Sequence, residues 1–381
     1  MSTQPFCLLP WFHQKVNSDG SMVPCCVWQP WGDKKPDRAY THEDFFDGEF
    51  MQSLRSDFLE GRIPSNCSRC VYYETFAENS NSWRRLGLKL ADSLGITAAD
   101  PPQLVSQEVD LSNLCNLRCR MCGQDRSTKW LSDSVALGKA PVGHRQSGWQ
   151  LTAAQSQTTK RLVFLGGEPM MHQQQICDAL QQMEHSDRLG DLDLHFNTNL
   201  TIPLEQQLID LIGLAASTRI DCSIDGYKQM NDYVRSDSEW PLIETNLAQL
   251  VTLRKSQPNT GLGENFSFSV YNAAGLHQFA AWWQSYSDNL SVILVTGPTF
   301  LDARNLPTAE KKRLIDHYQA VKHQIPNFAR AYSMVLGHLS QDAGMDHAEW
   351  LAQFRTYNQM LDQRRGTNLS DVYPQLAEIV G

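Results

Sequence analysis

From about residue 106 onward the sequence predicts an α/β fold built on a parallel sheet, because short strand-like runs alternate with longer segments of helical periodicity. Strands are expected near 107–111, 161–165, 192–197, 218–224, 265–271 and 291–296. Helices are clearest at 172–187, 204–215, 241–255 and 275–286. Two cysteine-rich stretches frame this alternation, one ahead of it and one directly after its first strand, so metal chemistry is expected at both places.

Composition narrows the classes. At 381 residues the chain can bury a full core, and its 41% hydrophobic and 20% charged residues are ordinary for a globular protein. The net charge of −9 argues against nucleic acid or an anionic membrane as partner, since either would repel the chain. No apolar run approaches the roughly 18 residues that a membrane span needs. The first residues, Met-Ser-Thr-Gln-Pro-Phe-Cys, lack the basic and apolar regions of an export signal, so a cytoplasmic location is expected. In that reducing setting the ten cysteines read as metal ligands and buried thiols rather than disulfides. Cys177, in a helical pattern, and Cys222, in a strand pattern, are expected in the core.

Residues 1–75 form the first expected module. Two short alternating runs flank Ser18-Asp19-Gly20, a hairpin with glycine in its turn, and this brings Cys7 and Cys25 together. A helical pattern from Glu43 to Leu59 stops at Gly61 and Pro64 and delivers Cys67 and Cys70. Four thiolates then converge, enough to close a [4Fe–4S] cluster or a zinc site, with Cys26 left over. Residues 76–105 read as a helical linker ending at Gly95, with Arg84, Arg85 and Lys89 on a solvated face. Residues 106–300 carry the α/β alternation, in which 123–158 is unusually long and polar and is expected to include a helix and a loop over the site. Residues 301–381 read as helical throughout.

The stretch Leu111-Ser-Asn-Leu-Cys115-Asn-Leu-Arg-Cys119-Arg-Met-Cys122-Gly supplies three thiolates, one fewer than a closed tetrahedral site or cluster takes from protein. An iron left with an open position can hold a reactive small molecule. With its flanking residues the stretch resembles the cluster loop of the radical S-adenosylmethionine (radical SAM) superfamily. That resemblance implies a [4Fe–4S] cluster on Cys115, Cys119 and Cys122, whose fourth iron chelates S-adenosylmethionine, and a partial (β/α)6 barrel with ligands at the C-terminal strand ends. Cys7-x12-Gly20-x4-Cys25 is similar to the opening of the SPASM pattern, and the shorter twitch version implies one auxiliary [4Fe–4S] cluster on Cys7, Cys25, Cys67 and Cys70. This module precedes the core, whereas in relatives it follows.

Later strand ends extend the resemblance. Gly166-Gly167-Glu168-Pro169 is similar to the family's G-G-E-P, where the glycines admit the ligand and Glu168 receives the methionine amine. Thr198-Asn199-Leu200 resembles T-N-G with leucine in place of glycine. Ser223-Ile-Asp225-Gly226 resembles S-x-D-G, with Ser223 and Asp225 toward ribose. Arg235 matches an arginine that pairs with the methionine carboxylate. Asn272 is a further candidate for the same pocket, and Met121 occupies the apolar position near adenine.

The expected function is reductive cleavage of S-adenosylmethionine followed by hydrogen abstraction, with an external electron donor such as flavodoxin or ferredoxin and no catalytic residue beyond the cluster and ligand site. The first choice of substrate is a peptide or protein side chain undergoing oxidation, crosslinking or epimerisation. Alternatives are a small molecule (a sugar, nucleoside or amino-acid derivative) or a non-catalytic metal-stabilised scaffold. Trp130, Trp149, Trp282 and Trp283 are weighed as pocket residues against plain core roles.

Overall fold

The structure is a computed structural model that describes residues 6–36, 42–75 and 82–381. The parts of the expected N-terminal module and linker at 1–5, 37–41 and 76–81 lie outside the described residues. The alternation read from sequence is present. Eight strands among the described residues are β1 (His13–Val16), β2 (Met22–Val23), β3 (Ser106–Asp110), β4 (Arg161–Leu165), β5 (Asp193–Thr198), β6 (Ser217–Cys222), β7 (Thr260–Phe268) and β8 (Leu290–Leu294). They belong to one sheet in the order β2-β1-β3-β4-β5-β6-β7-β8. The pairs β3–β4, β4–β5 and β7–β8 are parallel. Among the described residues no helix is long and apolar enough to cross a membrane.

The chain divides into two compact units. The first comprises 1–112, 145–196 and 204–219; the second comprises 113–144, 197–203 and 220–381.

In the first unit the N-terminal hairpin forms as its sequence implies, with β1 antiparallel to β2 and Gly20 at φ +80° in the turn. Its other edge pairs in parallel with β3, His13 opposite Ser106 and Lys15 opposite Glu108, which the sequence did not announce. The period-2 alternation sorts the two faces. Val109, Phe164 and Phe196 fall in register on one face, where Phe164 stacks on Phe196 and Trp149 meets Phe164 edge-on. The helix Gln173–His185 buries Ile176, Cys177, Leu180 and Met183. The other face carries Lys15 between Glu108 and Asp110, at 2.9 and 2.7 Å. A lysine buried this deeply keeps its charge because two carboxylates replace water around it.

The second unit holds β7, β8 and the helices Thr308–Val321, Ala329–Leu339, His347–Arg365 and Pro374–Val380. Trp350 stacks on Phe354, and Phe354 packs on Tyr271.

His13 donates to or accepts from Ser106 Oγ across the β1–β3 pairing at 2.9 Å. Burial depresses its pKa from 6.5 to about 4; Glu108 opposes this, while Arg161 and Lys15 add to it. A folded-state pKa below the unfolded value means stability that is complete above pH 6.5 and lost as pH falls through 4. The full difference is worth about 3 kcal/mol at most. Urea midpoints measured from pH 7 to 4 are therefore expected to fall more steeply for the native chain than for His13→Gln.

Candidate functional site

The cysteine loop of the second unit is shaped by a short backbone ladder. Arg118 N–H donates to Ser236 O at 2.9 Å and Arg120 N–H to Val234 O at 2.7 Å. Residue 235 is thus held opposite residue 119, and Arg235 Nη1 stands 3.9 Å from Cys119 Sγ. Cys115 and Cys119 are buried with Leu117, and Met121 and Cys122 pack against them.

Arg120, between two of the cysteines, points away from the thiols and is fully buried. It donates to Tyr233 O, Asn358 Oδ1, Asp362 Oδ1 and Thr367 Oγ1, and lies 3.7 Å from the Tyr233 ring centroid. Tyr357 Oη donates to Arg120 O, Trp130 Nε1 to Cys119 O, and Arg365 Nη1 to Arg118 O. The C-terminal helix His347–Arg365 is therefore the support of the cysteine loop. Sequence reasoning found that helix but no chemistry for it; the signal was the pair of arginines, Arg118 and Arg120, inside the cysteine motif.

Asp225 is buried and makes an ion pair with Arg235, Oδ2 to Nε at 2.7 Å, while Oδ1 accepts Ser267 N–H at 2.6 Å. Burial raises its pKa, and Arg235 and Ser267 work against that rise. Burial alone would lower the pKa of Arg235, but Asp225, Cys119 and Cys122 outweigh it and the guanidinium stays charged. Asn272 donates to Asp225 O and Ser267 O and accepts Ser269 N–H, so its amide locks the turn that presents Asp225. Ser223 is half-buried at the end of β6, its N–H donating to Thr198 O at 2.8 Å. Asn199 Nδ2 donates to Asn116 Oδ1 at 3.0 Å and lies 3.9 Å from Cys115 Sγ.

Leu200 takes φ +60°, the backbone that glycine adopts without cost. The strain is about 1–2 kcal/mol. It is offset because the side chain is 2% exposed and Asn246 Nδ2 donates to Leu200 O at 2.7 Å. Sequence reasoning also missed Glu264. Its carboxyl is buried on β7, accepts Ile224 N–H at 2.9 Å, and is pushed well above the usual carboxylate range by burial and then by Asp225.

The first unit holds the other predicted residues. Gly166 has φ +124°, and a Cβ there would lie 2.5 Å from Ser112 O. Gly167 N–H donates to that same carbonyl at 2.8 Å. Glu168 is 1% exposed and its Oε1 accepts Met170 N–H, beginning the turn Pro169–His172. Cys7, Cys25, Cys67 and Cys70 lie near enough to shift one another. Burial raises all four thiols, Cys67 to about 12. Cys26 instead bonds Glu108. Arg84 corrects the expected solvated face: it pairs with Glu74, donates to Phe6 O at 3.1 Å and lies 4.8 Å from the Phe6 ring centroid. Trp130 and Trp283 are core residues, and Trp282 sits in an aromatic cluster with Tyr227 and Trp240.

Among the described residues no three cysteine, histidine or acidic side chains stand as a ready metal cage. None of the ten cysteines forms a disulfide. The donor chemistry fits an iron–sulfur cluster. Soft sulfur ligands converge in buried surroundings, and at the three-thiol set a guanidinium and an amide N–H2 face two of the sulfurs.

No protein-family model and no curated protein matches the sequence. Among solved structures the chain is distantly similar to native anSMEcpe with bound AdoMet and Cp18Cys peptide. The TM-score is 0.41 and the identity 14%, over 58% of this chain and 61% of that one, so the chain spans less than two thirds of that structure. It is also distantly similar to Streptococcus suis SuiB bound to precursor peptide SuiA. Here the TM-score is 0.35 and the identity 13%, over 86% of this chain and 65% of that one.

The close approach at Gly166 predicts that Gly166→Ala costs at least about 2 kcal/mol in chemical denaturation, since both φ and the Ser112 carbonyl oppose a Cβ. Gly190→Ala, where a Cβ meets nothing within 4 Å, is expected to fall within about 0.5 kcal/mol of the native chain.

Proposed function

We propose that this chain is a radical SAM enzyme of the SPASM/twitch type that modifies a peptide or protein side chain. The observation that carries this reading is the ladder that sets Arg235 beside Cys119 while Asp225 holds its other edge. A cysteine triplet alone says nothing of what attends it; here a guanidinium does. Cys115, Cys119 and Cys122 would hold a [4Fe–4S] cluster. With S-adenosylmethionine bound, that cluster supplies one-electron cleavage of the sulfonium and a 5′-deoxyadenosyl radical able to take hydrogen from a substrate.

The chain's own residues bind and orient. Arg235 would offer planar donors to the methionine carboxylate, and Glu168 would accept from its ammonium group. Gly166 and Gly167 would let backbone approach the ligand, Ser223 and Asp225 would hold the ribose side, and Met121 would pack on adenine. Asn199 and Asn272 fix the loops that present these groups. Burial keeps water from the site. Cys7, Cys25, Cys67 and Cys70 would hold an auxiliary [4Fe–4S] cluster, with flavodoxin or ferredoxin delivering electrons from outside. The strands from β3 to β8 would form the partial barrel.

Anaerobic reconstitution, dithionite reduction and chromatography for 5′-deoxyadenosine test this reading. The native chain is expected to release it, and Cys119→Ala to release none. Arg235→Gln should weaken S-adenosylmethionine binding at least about tenfold, with Arg235→Lys intermediate and iron content retained in both. No product from a fully loaded, reduced chain overturns the proposal. The triple variant Cys115→Ala/Cys119→Ala/Cys122→Ala is expected to keep about four irons on the N-terminal set, the number a [4Fe–4S] cluster holds; zinc there removes the auxiliary cluster.

A further inference from the structure

The first unit has a cavity of about 630 Å³ that the proposed chemistry does not use, within the range of about 300–1,000 Å³ typical of ligand sites. One wall is the segment 146–151, where Gln146, Gly148 and Gln150 are exposed while Trp149 is buried, an extended alternation. The other wall is the helix Gln173–His185. Its residues Gln174, Asp178 and Gln182 lie four apart and so share one face. Gln175 Nε2 donates to Trp149 O at 2.9 Å and ties the walls together at the floor. Half-buried His172 closes the end nearest the turn after β4.

This lining is unusual in its chemistry. A glutamine side chain carries the same carbonyl and N–H groups as a peptide bond, so facing rows of glutamines offer paired donors and acceptors to a main chain of any sequence. Asp178 adds one negative charge among them, its Oδ1 accepting from Gln174 Nε2 at 2.8 Å and its other oxygen left for a ligand. The helical stripe from Gln174 to Gln182 is about 12 Å long, the length of roughly four extended residues. Within the first unit the groove also reaches Ser112. Gln146 forms an antiparallel bridge with Ser112, and Ser112 Oγ lies 2.5 Å from His172 Nε2. Ser112 is three residues before Cys115.

We propose that this groove binds an extended stretch of about four residues of a substrate peptide through its main chain, with a basic side chain facing Asp178. The inference deepens the peptide reading above and rests on it for the identity of the occupant. Binding at the groove would be felt at Ser112, next to the residues that hold the cluster.

The test is fluorescence anisotropy of labelled (Gly-Lys)4, (Gly-Glu)4 and (sarcosine-Lys)4 peptides with the full-length chain, purified anaerobically. Sarcosine removes half of the main-chain donors and keeps the charges. The lysine peptide is expected to bind saturably, the glutamate peptide not, and the sarcosine peptide about tenfold more weakly. Asp178→Lys should weaken the lysine peptide at least about tenfold and admit the glutamate peptide. Gln174→Leu/Gln182→Leu should weaken the lysine peptide about tenfold, each variant keeping the native circular dichroism. Asp316→Lys, on the helix Thr308–Val321, controls for general attraction to an acidic chain and should change nothing. Equal affinity across the groove variants, an equal loss in Asp316→Lys, or no saturable binding overturns the groove. 5′-Deoxyadenosine release by the native chain without peptide reports the radical chemistry separately.

Discussion

A guanidinium with almost no water around it is the constraint on which the candidate site turns. Arg235 lies between the Asp225 carboxylate and the Cys119 sulfur, and its charge opposes the rise that burial gives the Asp225 pKa. Removing two charges from water costs several kcal/mol apiece, so such a pair survives only when its remaining polar groups are also satisfied. Here they are: Ser267 N–H caps the free carboxylate oxygen, Asn231 accepts the Asp225 N–H, and Asn272 holds the Asp225 carbonyl. Glu264, buried close by, has its pKa raised by burial and by Asp225, while the Ile224 N–H opposes that rise.

Much of the scaffold was legible because its signals are local. Alternating runs and helical periodicity placed β3–β8 and the helices between them to within a few residues, and Ser18-Asp19-Gly20 announced the hairpin. Leu200 was legible as an anomaly: a branched side chain where the T-N-G motif it resembles has glycine. The structure shows the left-handed backbone kept and stabilised by burial and by Asn246. What sequence could not show were contacts between distant residues. Nothing local to His13 points to Ser106, and nothing local to Arg120 points to Asn358, Asp362 and Thr367. Glu264 lies just ahead of the strand expected at 265–271, and only its burial shows what raises its pKa.

The support of the cysteine loop also explains a division of labour inside one short motif. Cys115, Cys119 and Cys122 turn toward one another, while Arg118 and Arg120 between them turn outward to Asp237 and to the C-terminal helix. Neighbouring residues thus gather thiols and anchor the loop. A loop that must present three thiols at fixed spacing cannot rely on its own few backbone hydrogen bonds, and the arginines bring rigidity from packed helices.

The parallel pairing of β1 with β3 has a consequence for how the protein is made. His13 is made before its partner Ser106, 93 residues downstream, and a parallel pair cannot form until the later strand is available. Until then the hairpin has an open edge, and such an edge can pair with a neighbour, so this segment depends on prompt synthesis of the strand that will cover it.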